Sequence, residues 1–403
     1  MRFSERIQRV QPSPTLTLNS RARDLKSQGL DILNFAVGEP DYGTPKAVVD
    51  IGIEALQQGQ TRYGPAGGSL DFKNAVCTKV LRDQKIEIHP QQVVAGVGAK
   101  ELLFHTFQTL LNDGDEVLIH APAWVSYMEQ IKLAGGTPVM IPLELDEQGE
   151  VICTPEQLAA YATPKTRAFI LCSPNNPAGY TLSQSSFDGL VSFLEKTQWW
   201  VISDEIYEAM SFDRPHLSVM TASSSLSERT VTINGCSKAF AMTGWRVGYA
   251  IGPKDFISHM KNLQSHSSSC LPPFVEKAAI HAIEQGPAEL MKTELQHLKE
   301  KRIFAAECLK NIPYVRAVQN HGTFYLFVDC NDLIHATELD SSMSLSLRLL
   351  EQHHVAVVPG EAFMAPGYLR FSFATDRSTI QKGFDRLKDC VMSLVKDSKE
   401  MEK

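Results

Sequence analysis

One lysine stands where chemistry is possible. From Gly235 to Gly248 the chain reads GCSKAFAMTGWRVG, with Lys238 and Arg246 eight positions apart. The β-branched alternation Thr230 to Ile233 before it and the run Val247 to Ile251 after it both read as strands, so Lys238 falls in a loop at a strand's end. In open α/β sheets ligand sites gather outside the carboxyl ends of the strands. Small and apolar neighbours desolvate an amine, and a nearby cation such as Arg246 acts in the same direction. Both lower its pKa, which leaves an amine able to attack a carbonyl and form a Schiff base. A solvated loop lysine accounts for the local sequence equally well, so the decision rests on the other loops.

Those loops carry further side chains, each with an ordinary alternative. After Val93 the sequence Gly96-Val97-Gly98-Ala99-Lys100-Glu101 is a glycine turn opening a helix, whose backbone N–H groups suit a phosphate. Glu101 stands where a dinucleotide fingerprint needs its third glycine, which argues against nicotinamide or flavin. Trp124, in the loop after Ile119, either stacks on a flat ring or joins the core. Asn176, inside Ser173 to Gly179, is a ligand amide held between prolines or part of an Asx turn. Asp204 and Tyr207 set a carboxylate and a phenol just past Trp200 to Ser203, where the alternative for Asp204 is a helix cap. Arg370 interrupts the apolar strand Leu369 to Phe373 and needs an anion, from the protein or from a substrate. Tyr63 lies in a glycine- and proline-rich loop with little core to join, which makes it a contact candidate. A Schiff-base lysine, an aspartate for a ring nitrogen, a stacking aromatic, a phosphate turn and a carboxylate-binding arginine together describe one cofactor, pyridoxal 5′-phosphate.

Positioning these loops requires a sheet. Seven strands are expected, at Val93 to Ala95, Glu116 to Ile119, Pro138 to Ile141, Ala168 to Cys172, Trp200 to Ser203, Thr230 to Ile233 and Val247 to Ile251. Helices are expected from Pro45 to Gly59, Ser69 to Gln84, Lys100 to Leu111, Ala123 to Leu133, Pro155 to Tyr161 and Ser183 to Lys196, with Thr154 and Gln157 forming a capping box. The alternation predicts an α/β fold: a large domain with a mostly parallel seven-stranded sheet covered by helices on both faces. Beyond Pro287 a long charged helix to about Lys310, strands at Phe324 to Asp329, Val355 to Val358 and Leu369 to Phe373, a helix from Ser341 to His353 and a final helix read as a smaller α+β domain. The N-terminal segment, with a short strand from Ile32 to Val37 and a turn at Gly38, is expected to pack with it. The expected division is 1–44 for that segment, 45–286 for the large cofactor-binding domain and 287–403 for the small domain, ending in a polar tail from Lys396.

Composition narrows the function. The 403 residues, 43% apolar and 21% charged, suit a globular protein with a large core. A net charge of −7 with scattered basic residues argues against nucleic acid and for a small-molecule substrate. The eight cysteines are widely spaced, with no Cys-x-x-Cys pair and no secretory signal, which predicts reduced thiols and a cytoplasmic location. No ligand set predicts a metal, and no apolar run approaches a membrane span.

The chain resembles the class I aminotransferases of the fold type I pyridoxal-phosphate enzymes, most closely the bacterial aspartate aminotransferase group. The likeness runs from about Ser13 to the final helix and is most specific at Gly235 to Gly248, where every position fits the family signature. The resemblance implies that Lys238 forms the Schiff base and moves the proton, that Asp204 pairs the pyridine nitrogen, and that Tyr207 and Asn176 bond the ring's phenolic oxygen. It implies Trp124 stacking on the ring, with Arg246, Ser237 and the amides of Ala99 and Lys100 holding the phosphate. Tyr63 would reach the phosphate of a neighbouring subunit, making a homodimer. Arg370 and the Gly38 amide would take the substrate α-carboxylate, with Trp124 and Asn176 also lining the substrate. Gly235 departs from members that carry a phosphate-binding serine there.

The implied reaction is amino-group transfer between an L-amino acid and a 2-oxo acid by a ping-pong mechanism. Ser13, Thr15 and Lys100 resemble the residues with which the bacterial group binds a distal carboxylate, which favours aspartate and glutamate. Aromatic or prephenate transfer is the alternative within the group. A carbon–sulfur β-lyase or a cyclopropane-carboxylate synthase would use the same lysine and aspartate.

Overall fold

The computed structural model describes residues 3–12 and 14–401, and of 14–17, 19, 399 and 401 the backbone alone. After the short strand β1 (Leu33–Asn34), the strands β2 (Val93–Gly96), β3 (Glu116–His120), β4 (Thr137–Ile141), β5 (Thr166–Cys172), β6 (Trp200–Asp204), β7 (Thr230–Gly235) and β8 (Gly248–Ile251) follow in chain order. The last seven of these form one sheet in the order β2–β8–β7–β6–β5–β3–β4. Each expected strand of the large sheet is present within one or two residues.

Pairing is parallel throughout except at β8, which runs against both β2 and β7. Parallel strands covered on both faces read as continuous apolar runs, and every residue of β7 is buried. The covering helices are those their caps announce. Ser69 accepts from the Phe72 N–H at the start of Leu70–Gln84, and Thr154 and Gln157 close a capping box on Pro155–Tyr161. Because β8 is reversed, its beginning lies at the same sheet edge as the ends of the six parallel strands. That edge therefore collects the loops bearing Ala99, Trp124, Asn176, Asp204 and Lys238 together with Arg246.

A second sheet, with β9 (Arg316–Ala317), β10 (Tyr325–Asp329), β12 (Val358–Pro359) and β13 (Tyr368–Ser372), has the order β12–β13–β10–β9, while β11 (Val355–Ala356) pairs in parallel with β1. Its core joins Leu298, Ala305 and Leu309 of the long helix Lys292–Lys310 to Phe371, Phe384 and Leu387. Arg370 sits in β13 opposite Phe327 and Val358, which carries its side chain toward the large sheet's loop edge.

Two helices not assigned from the sequence, Lys254–Ser265 and Pro273–Gln285, fill 252–286; their polar faces dilute the apolar period, while Phe256, Met260, Val275 and Ala279 bury the other side. Two expectations need correction. The helix expected from Ala123 begins at Ser126, because the Ala123 N–H is spent on the Phe363 carbonyl at 3.2 Å and Trp124 stays in the loop. The stretch from Lys396 continues the last helix through Met401, since Leu387, Val391 and Leu394 anchor a helical face that propagates cheaply. No described helix is long and apolar enough to cross a membrane.

Candidate active site

Lys238 lies on a single helical turn, Cys236–Ala239, directly after β7. Gly235 and Gly248 face each other where β7 meets β8; a β-carbon on Gly235 would lie 2.9 Å from the Gly248 Cα and from the Val247 carbonyl. A larger residue at 235 would therefore press on backbone atoms of the neighbouring strand. The Lys238 ammonium or amine donates to the Gly38 carbonyl at 2.5 Å and lies 5.7 Å from the Phe324 ring centroid. Burial lowers its pKa to about 8; Glu39 opposes this, and Arg370, Arg246 and Lys100 assist. A nucleophilic amine is thus accessible near neutral pH.

Asp204 ends β6, buried beside Cys172 of β5 and Ile233 of β7. Its Oδ2 accepts from the Tyr127 hydroxyl at 2.6 Å and its Oδ1 from the Ile206 N–H at 3.3 Å. Burial pushes its pKa up to about 6, against those two hydrogen bonds. A carboxylate so placed, with no cation hydrogen-bonded to it among the described residues, is suited to accept a hydrogen bond from a protonated ring nitrogen.

Past Asp204, the Tyr207 hydroxyl meets the Tyr325 hydroxyl at 3.0 Å and accepts from the Asn176 amide at 3.4 Å. Arg370 donates to Asn176 Oδ1 at 3.1 Å and to the Ala36 carbonyl at 3.0 Å, with its guanidinium 4.3 Å from the Tyr325 ring centroid and 5.0 Å from that of Phe363. Its buried Nε has no partner among the described residues. Among the described residues no carboxylate is paired with this arginine, so its charge can serve a ligand's anion.

The opposite end of the site is built for a compact anion. The helix Ala99–Leu110 starts after Gly98, whose positive φ of 86° orients the first amides, and a β-carbon there would collide with the Arg246 guanidinium. Arg246 itself adopts φ 57°, a left-handed conformation costly for a non-glycine residue, and its guanidinium donates to the carbonyls of Thr243 at 2.9 Å and Val97 at 3.3 Å. Ser237 is buried nearby.

These groups line one cavity of about 640 Å³. It brings together Gly38, Ala99, Lys100, Trp124, Asn176, Asp204, Tyr207, Ser237, Lys238, Arg246 and Arg370. Tyr63 is not among its lining residues and is 92% exposed on its loop. Ser13 and the side chain of Thr15 lie outside the described residues. The exposed Lys100 ammonium rests 4.9 Å from the Trp124 ring centroid.

Sequence reasoning missed Tyr127, Tyr325 and Arg23, which also face the cavity. Tyr127 stands three residues after Trp124 and packs edge-on against it at 5.4 Å, a helical spacing that could have signalled a shared site. Tyr325 reads as a core residue of an apolar strand, and only the pairing of β10 with β13 brings it beneath Arg370.

Comparison with known proteins identifies the family. The family model "Aminotransferase class I and II" matches residues 30–387. Aspartate aminotransferase of Bacillus sp. strain YM-2 is 38% identical over 96% of this chain and 98% of its own length. A probable aspartate/prephenate aminotransferase of Aquifex aeolicus is 35% identical, with 96% and 98% covered. The structure of Thermus thermophilus aspartate aminotransferase with maleate superposes with a TM-score of 0.90 at 34% identity, covering 97% of this chain and all of that one. That of the Rhizobium meliloti enzyme gives 0.92 at 31%, covering 98% and 100%. The site edge, the lysine turn and the full-length similarity lead to one conclusion: this chain belongs to the class I and II aminotransferase family and is a transaminase.

Proposed function

We propose that the protein is a pyridoxal-phosphate-dependent aminotransferase that moves the amino group between an L-amino acid, aspartate or glutamate, and a 2-oxo acid. The observation that carries this reading is the opposition of Lys238 and Asp204 across one cavity, a buried amine and a buried carboxylate, each with its charged form disfavoured by burial. The residues fit the cofactor. Asp204 offers an anion for a ring nitrogen, Tyr207 and Asn176 offer polar atoms for a phenolic oxygen, and Trp124 offers a ring face. Ser237, Arg246 and the amides of Ala99 and Lys100 offer donors for a phosphate.

When bound, the cofactor supplies an electron sink for the pair left on the substrate Cα. The chain supplies the rest. Arg370, with the Gly38 amide, holds the α-carboxylate and so orients the Cα–H bond toward Lys238. Lys238, as a free amine, would take that proton as a base and, once protonated, give it back as an acid. Asp204, as the anion, would favour a protonated ring nitrogen. Two half-reactions in sequence give ping-pong kinetics.

Charge supports a dicarboxylate substrate. The cavity carries Arg23, Lys100, Lys238, Arg246 and Arg370 against Glu39 and Asp204. With Arg246 assigned to the phosphate and Arg370 to the α-carboxylate, Lys100 is left for a distal carboxylate; Ser13 and Thr15 are assigned to the same group by the resemblance alone. A second reading, aspartate with prephenate or aromatic oxo acids, is favoured by the names of the relatives from Aquifex aeolicus and Thermus aquaticus. The division into 1–44, 45–286 and 287–403 and a cytoplasmic location are part of the same proposal. So is a homodimer, supported by the outward placement of Tyr63.

The test is a half-reaction of cofactor-loaded protein with L-aspartate, L-glutamate, L-phenylalanine or L-cystathionine, followed by absorbance. Rapid conversion by the acidic pair alone supports the proposal, and conversion by aromatic donors moves it to the second reading. Pyruvate and ammonia from cystathionine would replace transfer by lysis. In Lys100→Ala, KM for aspartate should rise far more than KM for an uncharged donor; equal effects remove Lys100 from the distal site.

A further inference from the structure

Between the two proposed cofactor ligands Asp204 and Tyr207 stands a carboxylate that faces away from the cavity. Alternation along the chain puts Ser203 and Glu205 on the side opposite to Asp204. The Glu205 side chain is 1% exposed. Its Oε1 accepts from the hydroxyls of Ser203 at 2.9 Å and Ser218 at 2.6 Å. Its Oε2 meets His216 Nε2 at 2.9 Å and accepts from the Gln84 amide at 3.4 Å. The Glu205 backbone N–H donates to the Ile233 carbonyl at 2.8 Å, on the strand that leads to Lys238.

Behind this carboxylate lies a second buried pair, Lys79 with Glu208 at 2.6 Å, and Asp83 stands 3.4 Å from the same ammonium. The ligand atoms of Glu205, Glu208 and His216 come within 4.8 Å of one another, and the Lys79 ammonium already supplies a cation to that group. Asp83 is also paired with Arg82 at 2.6 Å, so the remaining charges of Glu205 and Glu208 balance Lys79 only when His216 carries its proton. Burial opposes that proton, but the Glu205 carboxylate outweighs it and holds the imidazole above its ordinary range; Glu208 adds to this and Lys79 subtracts.

We propose that Glu205, locked by His216, is a positioning residue for the reaction. It fixes the backbone of 204–207 so that Asp204 and Tyr207 face the cavity, and its charge, balanced by His216, is part of the field at that end of the site. A buried ion pair contributes little net stability compared with apolar residues of the same volume, so what this one adds is a single register for the loop. The Glu205 charge also bears directly on its neighbour, raising the Asp204 pKa beyond the effect of burial. The inference rests on the reading of Asp204 as the partner of the cofactor ring.

The test is a pH titration of the absorbance of bound pyridoxal phosphate in the holoenzyme, wild type against Glu205→Gln and His216→Gln, with single-turnover rates on L-aspartate and thermal melting. Removing the anion should lower the titration midpoint, whereas removing the cation and leaving Glu205 charged should raise it, each by about half a unit. Both variants should slow single turnover about fivefold or more per bound cofactor while KM moves less than about threefold, because Arg370 is untouched. Ser218→Ala, which deletes one donor and no charge, should slow turnover with the midpoint in place. Midpoints that shift together with melting temperature, or wild-type midpoints and turnover in Glu205→Gln and Ser218→Ala, overturn the proposal while leaving the aminotransferase reading intact. A wild-type protein that gives no cofactor absorbance overturns both.

Discussion

The Tyr127 hydroxyl donates a 2.6 Å hydrogen bond to Oδ2 of Asp204, from a helix that follows β3 to the end of β6. Both residues are buried, so the bond holds the carboxylate where burial alone would drive it toward the neutral acid.

Tyr127→Phe removes that donor and keeps the ring. A hydrogen bond to a buried charge is worth about 1.5–3 kcal/mol, so affinity for pyridoxal phosphate should fall about tenfold or more. Asp204 already titrates up at about 6, and losing Tyr127 moves it higher. The loss should therefore be larger at pH 6 than at pH 8, where the variant carboxyl is again ionised. Titration of cofactor-free protein with the cofactor at both pH values checks this; an equal loss at both removes Asp204 ionisation from the account.

The lowered pKa of Lys238, about 8, fixes a second expectation. Below that pH the ammonium cannot attack an aldehyde, and above it the free amine can, so capture of pyridoxal phosphate should speed up through pH 8 and level off. Linkage has the same sign. The folded chain gives up this proton earlier than the unfolded chain, so this group makes stability rise with pH between about 8 and the ordinary lysine value of 10.5. Lys238→Arg, charged throughout, should show neither capture nor this contribution. Stopped-flow absorbance and melting curves against pH measure both.

Legibility followed physical locality. The large sheet is readable because parallel strands are continuous apolar runs, and the positions of Lys238, Asp204 and Arg246 follow once their strand ends share an edge. The helices Lys254–Ser265 and Pro273–Gln285 escape because their long polar faces dilute the apolar period of the one side they bury. Tyr325 and Tyr127 escape for a different reason: a tyrosine's role depends on which hydroxyl or ring it meets across the sheet, and strand pairing is not local. Glu205 carries no sequence signal of its own beside Asp204, and only the approach of His216, Ser218 and Gln84 reveals a buried anion.

Arg370 tests whether charge or shape holds the α-carboxylate. Its guanidinium spends one arm on Asn176 and another on the Ala36 carbonyl while lying over Tyr325. Arg370→Lys keeps the charge but cannot make both bonds and the ring contact, and it orphans Asn176 Oδ1. The expected loss in kcat/KM for L-aspartate is about a hundredfold, carried by weaker binding of both amino donor and 2-oxo acid. A loss below about threefold in steady-state kinetics would assign the carboxylate elsewhere.

Gly235 offers a test on stability. Serine at this position places a β-carbon against the Gly248 Cα and the Val247 carbonyl, both backbone atoms that no side-chain rotation relieves. The strands β7 and β8 must part, and the overpacking should cost about 1–3 kcal/mol, read as a lower melting temperature. Val247 is the neighbour of Arg246, whose left-handed backbone and bond to the Val97 carbonyl depend on the same strand start. Separation of β7 from β8 should thus weaken phosphate binding as well, even though serine brings a new hydroxyl to the region. Gly235→Ser is expected to melt earlier and to bind pyridoxal phosphate less tightly than wild type. Unchanged melting with tighter binding would mean that the strands yield without strain and that the hydroxyl reaches the phosphate.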